Sequence, residues 1–141
     1  MKKAILSVIL GATMLVSPVI TTVSASAATN NVTVLDLSNE DGVILKDEYL
    51  EAGSKNTYTF TIPKTGLYVM CTSGGVVDSY GTLTAVDEDG TVTKYENDDH
   101  GDNVNFYLRV YLNEGAKCTL EVSGYGEEMY GEYKLIVNEY K

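Results

Sequence analysis

The 141-residue chain has no tryptophan, one histidine and two cysteines, and each scarcity removes a class of chemistry. A serine or cysteine nucleophile needs a base within hydrogen-bond reach, and His100 is the only imidazole the chain offers. A single histidine does not make a zinc site unless carboxylates complete it, and Asp98-Asp99-His100 is a contiguous polar run rather than a set of spaced ligands. Neither Cys71 nor Cys118 has a histidine nearby in the sequence to activate its thiol. Helical periodicity is equally scarce. No segment keeps a 3.6-residue repeat beyond a turn or two, and residues 47–52 offer one helical turn at most. Positive charge is thin: ten Lys and Arg face twenty Asp and Glu, a formal net charge of −10. A chain this acidic does not seek nucleic acid or an anionic membrane surface.

What is present begins with an export signal. Lys2 and Lys3 precede an apolar run from Ala4 to Val16, and Ala25-Ser26-Ala27 supplies the small residues of a cleavage site. The apolar run is short for a membrane span and ends in Ser17-Pro18. Residues 1–27 therefore read as a signal peptide. Its removal takes two lysines and leaves 8 basic against 20 acidic residues, or −12. The expectation is a secreted, extracellular protein with no membrane segment after cleavage. Residues 28–141 suffice for one domain with one modest core. In it residues 28–49 form a lead-in and first strands, and residues 50–141 form the body of the same unit.

The remaining pattern has a period of two. Val104, Phe106, Leu108 and Val110 alternate with Asn105, Tyr107, Arg109 and Tyr111, and Cys118, Leu120 and Val122 alternate with Thr119 and Glu121. Tyr133, Leu135 and Val137 repeat the pattern, as do Tyr58, Phe60 and Ile62 against Thr57, Thr59 and Thr61. Val32 and Val34 start a first strand, Pro63 stops another, and Asp87-Glu88-Asp89-Gly90 marks a hairpin. About eight short strands separated by turns predict an all-β fold, a β-sandwich with jelly-roll-like connections. The three runs between Val104 and Val137 read as one sheet. Cys71 shares parity with Leu67 and Val69, and Cys118 with Leu120 and Val122, so both thiols are expected inside, either bridged or as two buried free thiols. Tyr68 and Met70 then face outward.

Two groups of residues are candidates for a site. Eleven tyrosines suit either half-buried strand positions or contact surfaces. Tyr107 and Tyr111 flank Arg109 on the outer side of their strand, and Tyr125 and Tyr130 lie in a glycine-bearing loop; these five form the candidate binding surface. Arg109 has two partners open to it, neighbouring rings or Glu121, and the stripe is either free or covered by the first strand or Tyr140. The second group is acidic. Glu96, Asp98, Asp99 and Asp102, completed by Asp78, offer oxygen ligands for calcium, without the spacing of an EF-hand. The same residues read equally as a solvated loop in which Asp98 and Asp99 cap turns.

The order of motifs also carries a resemblance. Tyr58-Thr59-Phe60-Thr61-Ile62-Pro63, Gly66-Leu67-Tyr68, Asp78, Leu83, Asp87 to Gly90, Asp98-Asp99, Phe106 to Leu108, Glu114-Gly115, Gly124-Tyr125 and Gly131 to Val137 together resemble the bacterial pre-peptidase C-terminal domain family. That resemblance implies a jelly-roll-like accessory of secreted peptidases that contacts substrate polymers, with calcium in some members. The expectation is a secreted non-catalytic binding module that contacts an extracellular polymer or protein. The alternatives are a folding or targeting accessory of a separately encoded secreted peptidase and a carboxylate-based hydrolase.

Overall fold

The computed structural model describes residues 31–38, 44–75, 77–99 and 104–141. Nine strands account for most of them: β1 (Asn31–Val34), β2 (Ile44–Leu50), β3 (Lys55–Thr61), β4 (Gly66–Ser73), β5 (Ser79–Val86), β6 (Val92–Asn97), β7 (Tyr107–Leu112), β8 (Lys117–Gly124) and β9 (Gly131–Glu139). They form two sheets, β1-β3-β8-β5-β6 and β2-β9-β4-β7. All pairings are antiparallel except the parallel pair of β1 and β3. Leaving β1 aside, consecutive strands mostly alternate between the sheets, which is the eight-strand jelly roll.

The alternating pattern produces this arrangement by giving each sheet one apolar face. Tyr58, Phe60, Leu83, Leu120 and Val122 of one sheet meet Tyr68, Met70, Leu108, Leu135 and Val137 of the other, all buried. Phe106 closes one end of the core by lying flat over Gly81, where any Cβ would collide with its ring. Gly81 thus makes room for the aromatic rather than supplying a turn.

Several local expectations are corrected. Residues 47–50, part of the 47–52 stretch expected to hold one helical turn at most, belong to strand β2, because pairing with β9 outweighs the weak helical pattern. The three runs after Val104 do not share a sheet. β8 pairs with β3 and β5, while β9 pairs with β2 and β4 and β7 with β4. Val104 is half exposed and precedes β7. Strand β4 is the main phase error, since it is apolar on both sides. Tyr68 and Met70 point inward, at 1% and 0% exposure, and Leu67, Val69 and Cys71 share the outer face. The larger side chains fill the core volume. Cys71 is therefore half-buried on the outside of one sheet and Cys118 is buried on the inside of the other, and both are free thiols. Burial pushes the Cys71 thiol up, and burial with the Asp87 charge pushes Cys118 up to about 12.

Two polar clusters bind the sheets together. Asn56 donates from Nδ2 to Tyr133 Oη at 2.8 Å and to the Tyr49 carbonyl at 2.9 Å, and the Tyr58 and Tyr133 hydroxyls share a 2.5 Å hydrogen bond. Burial above all pushes both phenols up, Tyr58 well above the usual tyrosine range, and the nearby Glu48 charge adds to it. In the unfolded chain tyrosine ionises at about pH 10. The folded state therefore retains protons that the unfolded state loses, and stability falls as pH rises past that value. Tyr133→Phe removes the hydroxyl that Asn56 Nδ2 and the Tyr58 hydroxyl both bond, leaves those two buried groups short of a partner, and is expected to cost about 1–3 kcal/mol in thermal or urea unfolding. Tyr58→Phe/Tyr133→Phe is expected to cost less than the sum of the single changes, because the second removes a hydroxyl already orphaned by the first.

Candidate functional site

The register sets the geometry of the loops. Leu50 faces Gly131, Lys55 faces Ser123 and Ser79 faces Gly124. The β2–β3, β4–β5, β6–β7 and β8–β9 connections therefore gather at one end of the sandwich. A second buried cluster fastens that end. Thr72 and Ser79 share a hydroxyl–hydroxyl bond of 2.5 Å, Thr72 lies 3.1 Å from Asn105 Oδ1, and Ser79 Oγ accepts from the Phe106 amide at 3.0 Å. The Tyr125 amide donates to the Asp78 carbonyl at 2.8 Å, joining the β8–β9 loop to the β4–β5 loop. Within the first loop, Ser54 donates to the Glu51 carbonyl from both its amide and its hydroxyl.

On this tied frame three tyrosines stand out in solvent: Tyr49, Tyr125 and Tyr130, at 47%, 63% and 60% exposure. Exposed Glu51, Glu127, Glu128 and Asp99 belong to the same loop end. A shallow depression of about 650 Å³ opens on the flank, lined by Asp47, Glu48, Tyr49, Gly75, Glu132 and Lys134 among others. Lys46 pairs with Glu48 at 2.5 Å and Lys134 with Asp47 at 3.3 Å. This end combines amphipathic rings with an excess of carboxylates. Tyr49 and Glu51 were missed in the sequence because residues 47–52 were read as one helical turn at most rather than as the end of a strand. The signal was the alternation of Asp47 and Tyr49 with Glu48 and Leu50.

The five residues singled out from the sequence lie on two elements, the β8–β9 connection and strand β7. Tyr125 and Tyr130 belong to the loop end. Tyr107, Arg109 and Tyr111 run along the outer face of β7, where Tyr111 is 65% exposed and Tyr107 is half-buried with its amide donating to Asn97 Oδ1 at 3.1 Å. The Arg109 guanidinium carbon sits 4.3 Å from the Tyr140 ring centroid. Glu121, the other partner considered for it, lies on the opposite sheet and pairs with Lys55 at 3.0 Å.

The acidic candidates are divided as well. Asp102 and His100 fall outside the described residues. Glu96 pairs with Lys94 at 2.6 Å, and that hydrogen bond holds its carboxyl below the usual range. Asp98 accepts from the Asp99 amide at 2.9 Å, a local turn contact. Partial burial, then the charges of Asp99 and Asp98, push the Asp78 carboxyl up. Among the described residues no group of three or more His, Cys, Asp or Glu is placed to hold a metal ion.

Solved structures share this fold. A periplasmic inhibitor of g-type lysozyme from Salmonella Typhimurium, PliG, matches 79% of this chain and all of its own at 13% identity, with a TM-score of 0.53. PliG of Aeromonas hydrophila matches 78% of this chain and 96% of its own at 11% identity and TM-score 0.54. CorA of Methylomicrobium album, a surface-associated copper-binding protein, matches 79% and 98% at 10% identity and TM-score 0.51. No protein-family model matches the sequence, and no curated protein matches it either. These neighbours correct two expectations. The fold is that of the lysozyme inhibitors rather than of a pre-peptidase C-terminal domain, and the PliG neighbours are periplasmic rather than released proteins. The Gly-x-Tyr and Asp-Gly motifs behind the earlier resemblance mark the strand ends and tight turns of this sandwich, and unrelated β-proteins need the same punctuation.

Proposed function

We propose that this protein is an exported, non-catalytic module that binds and blocks a wall-degrading muramidase of the g-type lysozyme class. The observation that carries the reading is the loop end of the sandwich, where Tyr49, Tyr125 and Tyr130 project beside Glu51, Glu127 and Glu128. Aromatic side chains supply large contact area at low entropic cost, and the carboxylates steer a cationic enzyme toward them. A net charge of −12 after leader removal acts in the same direction at long range. The likeness in fold to periplasmic inhibitors supports both the partner class and a periplasmic location. The protein is not an enzyme in this reading, and it works by occupying its partner.

The test is lysis of a cell-wall suspension by a g-type lysozyme, with and without the exported chain. Inhibition at micromolar concentration or below is expected, weakening from low salt to ~0.5 M salt as the Debye length contracts. Full lysis at a hundredfold molar excess of the protein in low salt would sink the assignment.

A further inference from the structure

The depression on the flank of the loop end is built by strand register. In β2 Leu50 is buried and Tyr49 points the other way, and in β9 Tyr133 and Leu135 are buried while Glu132 and Lys134 are exposed. Pairing of β2 with β9 sets Tyr49 opposite Glu132 and Asp47 opposite Lys134, so these four side chains share the solvent face as two cross-strand pairs. Ser73 of β4 continues the second row beside Lys134. The wall beyond it is bare backbone: Gly75 lies against the Glu132 carbonyl, and a Cβ at Gly74 would have nothing within 4 Å. With no side chains at these two positions, the space of about 650 Å³ stays open.

Ion pairing decides what the depression can receive. Glu48 faces inward and pairs with Lys46, and Asp47 pairs with Lys134. Among the described residues Glu132 has no cation of its own. One uncompensated carboxylate therefore stands across the strand pair from a tyrosine ring. A divalent metal needs more oxygen ligands than that, and an anion is repelled. A single positive group on a long apolar stem fits, with its stem or its plane against the ring and its head on the carboxylate. The frame is set before anything binds. The Tyr49 carbonyl accepts from Asn56 Nδ2 at 2.9 Å, and buried Asn56 is held in turn by Tyr133 Oη at 2.8 Å. A site fixed in this way loses little freedom on binding.

We propose that this depression is the socket for one arginine side chain of the bound muramidase, with Tyr49 as its stacking surface and Glu132 as its counter-ion. The identity of the partner rests on the muramidase reading; the chemistry of the socket rests on the Tyr49–Glu132 pair. Glu132 follows Tyr130 and Gly131 directly in the chain, so the socket is continuous with the exposed rings of the loop end. Arginine suits it better than lysine, because a planar guanidinium both stacks on an aromatic face and bonds a carboxylate with two parallel N–H groups. Glu132 then has a different task from Glu127 and Glu128. Those two steer the partner from a distance, whereas Glu132 holds it once water has been excluded from the contact and the pair is less screened.

Association and dissociation rates of a g-type lysozyme on the exported chain test this. Glu132→Gln is expected to raise the dissociation rate by about tenfold or more, with association nearly unchanged and the melting temperature kept, since the side chain is exposed. A Glu132→Gln variant that dissociates like the wild type overturns the socket and leaves the muramidase reading standing. A second titration needs no enzyme. N-acetyl-arginine amide and its uncharged analogue N-acetyl-citrulline amide are added to the exported chain and followed by backbone amide NMR shifts. The arginine probe is expected to shift Tyr49, Ser73, Gly74, Gly75 and Glu132 saturably, with the citrulline probe weaker by about threefold or more and the difference lost in Glu132→Gln. If the wild type shows that preference but neither binds nor inhibits the lysozyme, the arginine socket stands and the muramidase reading falls. Equal response to the two probes overturns the socket, and no response to either, together with no inhibition, overturns both readings.

Discussion

Gly75→Ala is expected to cost about 3–5 kcal/mol of folding stability, whereas Gly74→Ala, one residue away, is expected to cost only about 1–2 kcal/mol. Both glycines sit at positive φ, +71° and +74°, so each substitution meets the left-handed penalty. They differ in surroundings. A Cβ at residue 74 has nothing within 4 Å, but a Cβ at residue 75 would run into the Glu132 carbonyl oxygen. That oxygen belongs to the backbone of β9, so relief requires moving the β4–β5 connection away from the sheet. Buried Val77 and Ser79 follow directly in the chain, and Ser79 is a member of the cluster that holds Asn105 and Phe106. A domain with roughly 5–15 kcal/mol in hand would be left marginal. The pair of variants, compared by urea unfolding, separates backbone strain from steric collision. Equal losses would mean that the approach to β9 contributes nothing.

The sequence reading succeeded where one face of a strand is apolar and failed where both are. β3, β8 and β9 alternate cleanly, and the buried sets Tyr58-Phe60, Leu120-Val122 and Tyr133-Leu135-Val137 follow from that alternation. β4 offers Leu67-Val69-Cys71 on one side and Tyr68-Met70-Thr72 on the other, and local pattern carries no information about which set the opposing sheet will accept. That single ambiguity moved Cys71 to the wrong face and suggested a disulfide to Cys118. Sheet membership was also out of reach, because a jelly roll pairs β3 with β8 and β2 with β9, contacts set by the whole chain and not by any turn. The exposure of Tyr125 and Tyr130 was legible because glycine-bearing loops reach the surface. That of Tyr49 was not, since it depends on β2 being an edge strand that pairs, among the described residues, with β9 alone. Val32 and Val34 were legible as strand residues, but their exposure depends on β1 lying outermost in its sheet.

Tyr125→Ala/Tyr130→Ala is expected to weaken muramidase inhibition by about a hundredfold, which corresponds to roughly 3 kcal/mol, while leaving the melting temperature within a degree or two. Both parts follow from placement. The rings are 63% and 60% exposed, so truncation removes little that the core uses. The loop keeps its shape because the bond that ties it down runs from the Tyr125 amide to the Asp78 carbonyl and survives alanine. Tyr111→Ala is the matched control. It removes an equally exposed ring from the outer face of β7, away from the loop end, and is expected to leave inhibition unchanged. The opposite result, inhibition lost with Tyr111 and kept without Tyr125 and Tyr130, would move the contact to the Tyr107–Arg109–Tyr111 face. Charge acts on a different step. Glu127→Gln/Glu128→Gln removes two exposed carboxylates beside the rings and is expected to slow association and flatten its salt dependence, with dissociation little changed. Aromatic truncation should do the reverse, raising the dissociation rate and sparing association. If instead both sets of substitutions altered only the association rate, the tyrosines would not be buried in the complex, and the loop end would serve as a steering field for a contact elsewhere on the sandwich.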